Sequence, residues 1–152
     1  MDIREDDLID IRTLKLIQLH LQGMAENSPP ESRHALNVDG LRQPNITFYS
    51  AWNQEEIMGC GALKELTSTH GEVKSMRTAT EYLKKGVAAA ILQHIINESR
   101  NRGYTKLSLE TGSMDSFKAA HRLYERFAFE YCGPFDTYKE DPNSVFMTLE
   151  IK

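Results

Sequence analysis

The segment EVKSMRTATEYLKKGVAAAIL, Glu72 to Leu92, changes its hydrophobic period midway. Val73 alternates with Lys74, and Met76 with Ser75 and Arg77, as in a strand. From Val87 onward, Val87, Ala88, Ile91, Leu92, Ile95 and Ile96 share one helical face. A strand that feeds a long helix through one short loop restricts the chain to folds that mix helices with a sheet. The loop carries Lys84 and Lys85, and Gly86 followed by small residues opens the helix. Free N–H groups and the dipole at a helix N-terminus favour anions, phosphates above all. The segment therefore reads either as a phosphate seat or as a loop glycine with alanines that pack the helix onto the sheet. Neither GxxxxGK[ST] nor GxGxxG occurs, so a diphosphate held here belongs to another architecture.

Elements on either side complete a mixed pattern. Met1 to Glu5 is a short strand, and Leu14, Ile17, Leu21 and Met24 mark an amphipathic helix from about Ile11 to Met24. Pro29 and Pro30 stop it, and a short second helix is expected around Ser32 to Leu41. Ile46 to Trp52 and Ile57 to Leu66 are strands joined at Asn53-Gln54-Glu55, with Gly59 and Gly61 signalling a bend or a close backbone approach. After the long helix come a strand, Tyr104 to Thr111, and a helix capped by Ser113 or Asp115 with Phe117, Ala120, Leu123, Tyr124 and Phe127 on one face. Phe129 to Phe135 and Ser144 to Ile151 close the chain as strands. The expectation is one α/β domain over residues 1–152 with a mixed, mostly antiparallel twisted sheet flanked by helices.

Charge and composition remove several classes. Lys plus Arg number 18 against 22 Asp plus Glu, a net charge of −4, which argues against nucleic acid as a partner. The longest apolar run, Val87 to Leu92, is far too short to span a bilayer, so no membrane partner is expected. MDIREDDL is acidic where a secretory signal would be basic, and Cys60 and Cys132 read as buried thiols of a reducing, cytoplasmic environment. The five histidines show no close ligand spacing, so no metal site is expected.

Three stretches carry a resemblance over nearly the whole chain. Leu83-Lys84-Lys85-Gly86-Val87-Ala88, the run from Arg102-Gly103-Tyr104 to Glu110-Thr111-Gly112, and AHRLYERFAF from Ala120 to Phe129 occur in the order and spacing of the GNAT superfamily of acetyl-CoA-dependent N-acetyltransferases. SPPES, CGALKEL and DPNSVFM together resemble its bacterial YsnE-type branch. The chain departs from the family pattern at Leu83, where Arg or Gln is usual, and at Phe117, often Asn. It also departs at Lys84 and Ala128, both commonly Gly.

The resemblance implies a GNAT-like fold, acetyl-CoA as cosubstrate and direct attack by a primary amine of a small molecule or peptide. It places the pantetheine arm along Met76, Arg77 and Thr78, with the Met76 N–H polarising the thioester. The pyrophosphate falls on Gly86, Val87, Ala88 and Ala89, with Lys84 and Lys85 nearby. Tyr124 matches the tyrosine that protonates the departing thiolate, and its other reading is a core aromatic. Glu72, expected on the same side of its strand as Met76, is a candidate general base or an exposed strand-end carboxylate. His34 lies near the region the family gives to the acceptor, and a homodimer stays open. Two alternatives differ in class. One is a non-catalytic acyl-CoA-binding regulatory module; the other is an interaction domain using Phe48, Tyr49 and Trp52.

Overall fold

The computed structural model describes Met1–Lys152. Its strands are β1 (Asp2–Glu5), β2 (Ile46–Asn53), β3 (Glu56–Thr67), β4 (His70–Thr78), β5 (Lys106–Gly112), β6 (Glu130–Cys132) and β7 (Ser144–Glu150). Its helices are α1 (Ile11–Asn27), α2 (Val38–Leu41), α3 (Val87–Asn101) and α4 (Lys118–Arg126). One seven-stranded sheet runs in the order β1-β2-β3-β4-β5-β7-β6. Only β4 and β5 pair in parallel, because α3 carries the chain across the sheet between them. The expected mixed, mostly antiparallel sheet is the one present.

Two cores follow from the two faces. On one, Val87, Ile91, Leu92, Ile95 and Ile96 of α3 pack with Leu63, Val73, Leu107, Leu109 and Met147. Burying a side chain of this kind contributes about 1.5–3 kcal/mol before entropy is charged. The glycine signal in β3 reports how closely α3 lies. A Cβ on Gly59 would sit 2.8 Å from Val87 Cγ1, and one on Gly61 would sit 2.5 Å from Met76 Sδ and 2.8 Å from Ile91 Cγ2. On the other face Leu16 and Ile17 of α1 pack with Leu41, Phe48, Cys60 and Ala62.

Several boundaries differ from the sequence reading. The buried stripe of α1 is Thr13, Leu16, Ile17 and His20, rotated from the apolar set, because Thr13 bonds Asp6 Oδ2 at 2.8 Å and His20 accepts from Arg77. The expected second helix shrinks to a 3-10 turn, Pro30–Ser32, and the single turn α2. The first turn of α4 carries no side-chain cap from Ser113 or Asp115, since a 3-10 turn over Asp115–Phe117 precedes it. β6 keeps only three residues, because Gly133-Pro134 ends it and proline cannot extend a ladder. Cys60 is buried as expected, whereas Cys132 is exposed on that edge strand.

Candidate active site

β4 and β5 pair only from His70 to Val73 against Lys106 to Leu109, yet β4 continues to Thr78 and β5 to Gly112. The strands part, and a cleft of about 670 Å³ opens where they do. The irregularity that bends β4 is a bulge. Cys60 pairs with Arg77 and Ala62 with Lys74, so Ser75 and Met76 both oppose Gly61. Ser75 takes φ +58°, a left-handed conformation found in one type of bulge.

That extra residue overturns one expectation. Strict alternation would put Glu72 and Met76 on one face, but the bulge reverses the side on which later residues point. Met76 packs with Val73 against the α3 core, while Glu72 lies on the opposite face beside Lys74 and Tyr138. The strand-end glutamate is also not exposed: Glu72 is 1% accessible.

The phosphate-seat reading acquires geometry at the mouth of α3. Gly86 is the N-cap residue at φ +81° and ψ 12°, and no side chain caps the turn it opens. A Cβ built on Gly86 would meet nothing within 4 Å, and Gly86 to Ala89 line the cleft. Lys84, one of the family's usual glycine positions, takes φ +61°, and Ala128, the other, takes φ +71°. Both departures therefore fall on left-handed backbone, where a glycine would be unstrained.

Met76, Arg77, Thr78, Lys84, Gly86, Val87, Ala88 and Ala89 all line the cleft. Lys85 does not; its Nζ lies 5.5 Å from the centre of the Tyr82 ring. The Arg77 guanidinium turns to α1, donating from Nε to His20 Nδ1 at 3.1 Å and from Nη2 to the His20 carbonyl at 3.3 Å. Burial, with the Arg77 charge second, holds His20 down at a pKa of about 4, so it stays neutral.

Tyr124 and Glu72 both border this cleft, one from α4 and one from β4. Tyr124 packs edge-on against Phe129, its ring centres 5.6 Å apart, and is 6% accessible. Burial pushes its phenol well above the ordinary range, so the hydroxyl keeps its proton. The two readings of Tyr124 are compatible: its ring is core, and its residue lines the cleft.

Glu72 is held by partners that the sequence reading did not identify. Tyr138, from the loop between β6 and β7, donates to Glu72 Oε2 at 2.6 Å. Lys74 Nζ donates to the same oxygen at 3.3 Å, to Tyr138 Oη at 2.9 Å and to the His34 carbonyl at 3.4 Å. Oε1 is buried with no partner. Burial and the neighbouring Glu72 charge both push the Tyr138 phenol far upward. His34 meets the Tyr138 ring edge-on at 5.0 Å and lines the cleft with Glu110 of β5. Strand alternation against Leu107 and Leu109 could have drawn attention to Glu110; nothing local marks Tyr138.

A mixed sheet parted at its only parallel pair, with an uncapped helix mouth at the gap, is the architecture to be compared with known proteins. Residues 13–129 match the model of the acetyltransferase (GNAT) family. The chain belongs to that family and is an acetyl-CoA-dependent N-acetyltransferase. It is 58% identical to the N-acetyltransferase YsnE of Bacillus subtilis (strain 168), over 99% of this chain and 100% of that protein. It is 48% identical to the N-acetyltransferase YedL of Escherichia coli (strain K12), over 98% of this chain and 94% of that one. Among solved structures, an aminoglycoside 6′-N-acetyltransferase complexed with coenzyme A shares the fold. Its TM-score is 0.74 at 16% identity, covering all of this chain and 98% of that one. No helix here is long and apolar enough to cross a membrane.

Proposed function

We propose that residues 1–152 act as one domain that acetylates a primary amine of a small molecule or peptide by direct attack on the thioester. The observation that carries this reading is the parted pair β4 and β5, with Glu72 on the α1 face of β4 and Tyr124 against the α3 core. The nucleophile approaches a carbonyl carbon and the leaving group departs from it in different directions, so an acid and a base on different sides suit direct transfer. Open edge along Met76, Arg77 and Thr78 can pair with the pantetheine amides as an added strand would. In this reading the Met76 N–H polarises the thioester oxygen, and the N–H groups of Gly86 to Ala89 hold the diphosphate beside Lys84.

The proton steps balance. An acceptor ammonium, with a pKa of about 10, loses a proton to Glu72, and the neutral amine attacks the carbonyl carbon. The nitrogen of the tetrahedral adduct passes its second proton to solvent, and the C–S bond breaks as Tyr124 protonates the sulfur. Solvent reprotonates the phenolate and takes the proton held by Glu72, so that one proton is released per turnover. Tyr138 and Lys74 fix Oε2 and leave Oε1 without a hydrogen bond.

A screen of amines, amino acids and peptides with acetyl-CoA, following free thiol, tests the reading. Glu72→Gln should depress turnover most at the acid end of the profile, where fewer amines are already neutral. A profile that overlays the parent's would remove Glu72 as base. Tight acetyl-CoA binding with no transfer to any acceptor would favour the non-catalytic module.

A further inference from the structure

The charges at the acceptor end of the cleft do not cancel. Glu72, Lys74, His34 and Glu110 line it there, and Glu110 lies on the same face of the sheet as Glu72, away from Leu107 and Leu109. Lys74 is the one permanent cation among them. Its three N–H bonds are already directed at Glu72 Oε2, Tyr138 Oη and the His34 carbonyl, so it offers nothing further to an incoming anion. Arg77 is turned away onto His20. Glu72 and Lys74 neutralise one another, and Glu110 has no ion-pair partner.

Two carboxylates thus stand unsatisfied in different ways. Glu72 Oε1 is fully buried and makes no hydrogen bond, a costly state for a charged group. Glu110 is half-buried, and that burial raises its pKa, with the Ser144 hydroxyl, His34 and Lys74 pulling the other way and the Glu72 charge adding to the rise. A half-buried acid without a countercharge is stabilised by any cation that reaches it.

We propose that Glu110, with the Glu72 carboxylate beside it, forms a subsite for the ammonium of the acceptor, which selects cationic amines that carry no carboxylate beside the reacting nitrogen. The inference rests on the transferase reading above and narrows its acceptor class. Glu110 holds the cation while the Glu72 carboxylate receives its proton. An α-amino acid would bring its carboxylate against Glu110 and Glu72, where the neighbouring cation, Lys74, has its donors already engaged, and like charges in such a site cost binding.

Matched pairs that differ only by the carboxylate test the subsite: agmatine against arginine, cadaverine against lysine, phenethylamine against phenylalanine. In the parent protein the decarboxylated member should have the higher kcat/KM by about ten- to a hundredfold, the scale of one charge-assisted hydrogen bond. Glu110→Gln, nearly isosteric, should lower kcat/KM for the amines by a similar factor, mainly through KM, and narrow the gap within each pair. An unchanged rise in Tm with acetyl-CoA shows that this variant is folded and loads its cosubstrate. Equal or better use of the amino acids by the parent protein overturns the subsite and leaves the transferase reading standing. So does an unchanged preference in a folded Glu110→Gln protein. Acetylation of neither member of any pair, or of any other amine, overturns the transferase reading and this inference with it.

Discussion

Gly86→Glu separates an electrostatic phosphate seat from a glycine that merely turns the chain. The position has φ +81° with open space above it, so a new side chain meets strain but no clash. Left-handed backbone costs an L-residue about 1–2 kcal/mol, partly offset by about 0.5 kcal/mol of lost unfolded-state freedom. Gly86→Ala should therefore lower Tm by roughly 2–4 °C, near 1 kcal/mol for a chain of this length. Gly86→Glu incurs the same backbone cost and adds an anion beside the uncapped N–H groups of α3. A unit charge ~5 Å from a phosphate charge is worth about 3 kcal/mol at an effective dielectric of 20. Solvent at this exposed loop reduces that to roughly 1.5–3 kcal/mol, or about ten- to a hundredfold in Kd. Titration calorimetry with acetyl-CoA on the parent and both variants reads the difference, and about 0.5 M salt should shrink it. Equal Kd values for folded Gly86→Ala and Gly86→Glu proteins would refute the seat.

Tyr124→Phe keeps the ring on Phe129 and removes the hydroxyl, so acetyl-CoA affinity should hold while single-turnover chemistry slows about 10²–10⁴-fold; an unchanged rate makes it a packing residue. His20 is neutral when folded at a pKa of about 4, against 6.5 when free, so its contribution is complete above about pH 6.5 and is lost as pH falls through about 4. Urea unfolding should show roughly 3 kcal/mol lost across that window, and His20→Gln should remove that part of the slope. Ala128→Gly relieves a φ of +71° and should raise Tm by about 2–4 °C, measured by calorimetry.

Periodic features were legible in the sequence, and non-local ones were not. The stripe of α3 and the strand-loop-helix passage into Gly86 are set by neighbours a few residues apart, and both stand where the pattern put them. The face of Glu72 was misread because the bulge at Ser75 and Met76 carries no glycine or proline to announce it. Its burial involves Tyr138, 66 residues along the chain, in the loop that leads into β7, which pairs with β5. Strand β6 was read too long because its apolar residues outlast the ladder that Pro134 ends. Lys84 and Ala128 stood out as departures, but their left-handed backbone explains why those positions matter.

The parting of β4 and β5 also bears on aggregation. A sheet ordinarily exposes unpaired strand edges only at its two margins, where charge, shortness or proline discourages another chain from docking. Here two further edges lie in the interior, between Lys74 and Thr78 on one side and Glu110 and Gly112 on the other. The bulge limits the hazard because it twists β4 and breaks the even spacing that a foreign strand would need for continuous pairing. A short flexible arm with two amides can use such an edge, whereas an extended peptide cannot follow it in register. The same kink that opens the sheet thus keeps it from recruiting another copy of itself.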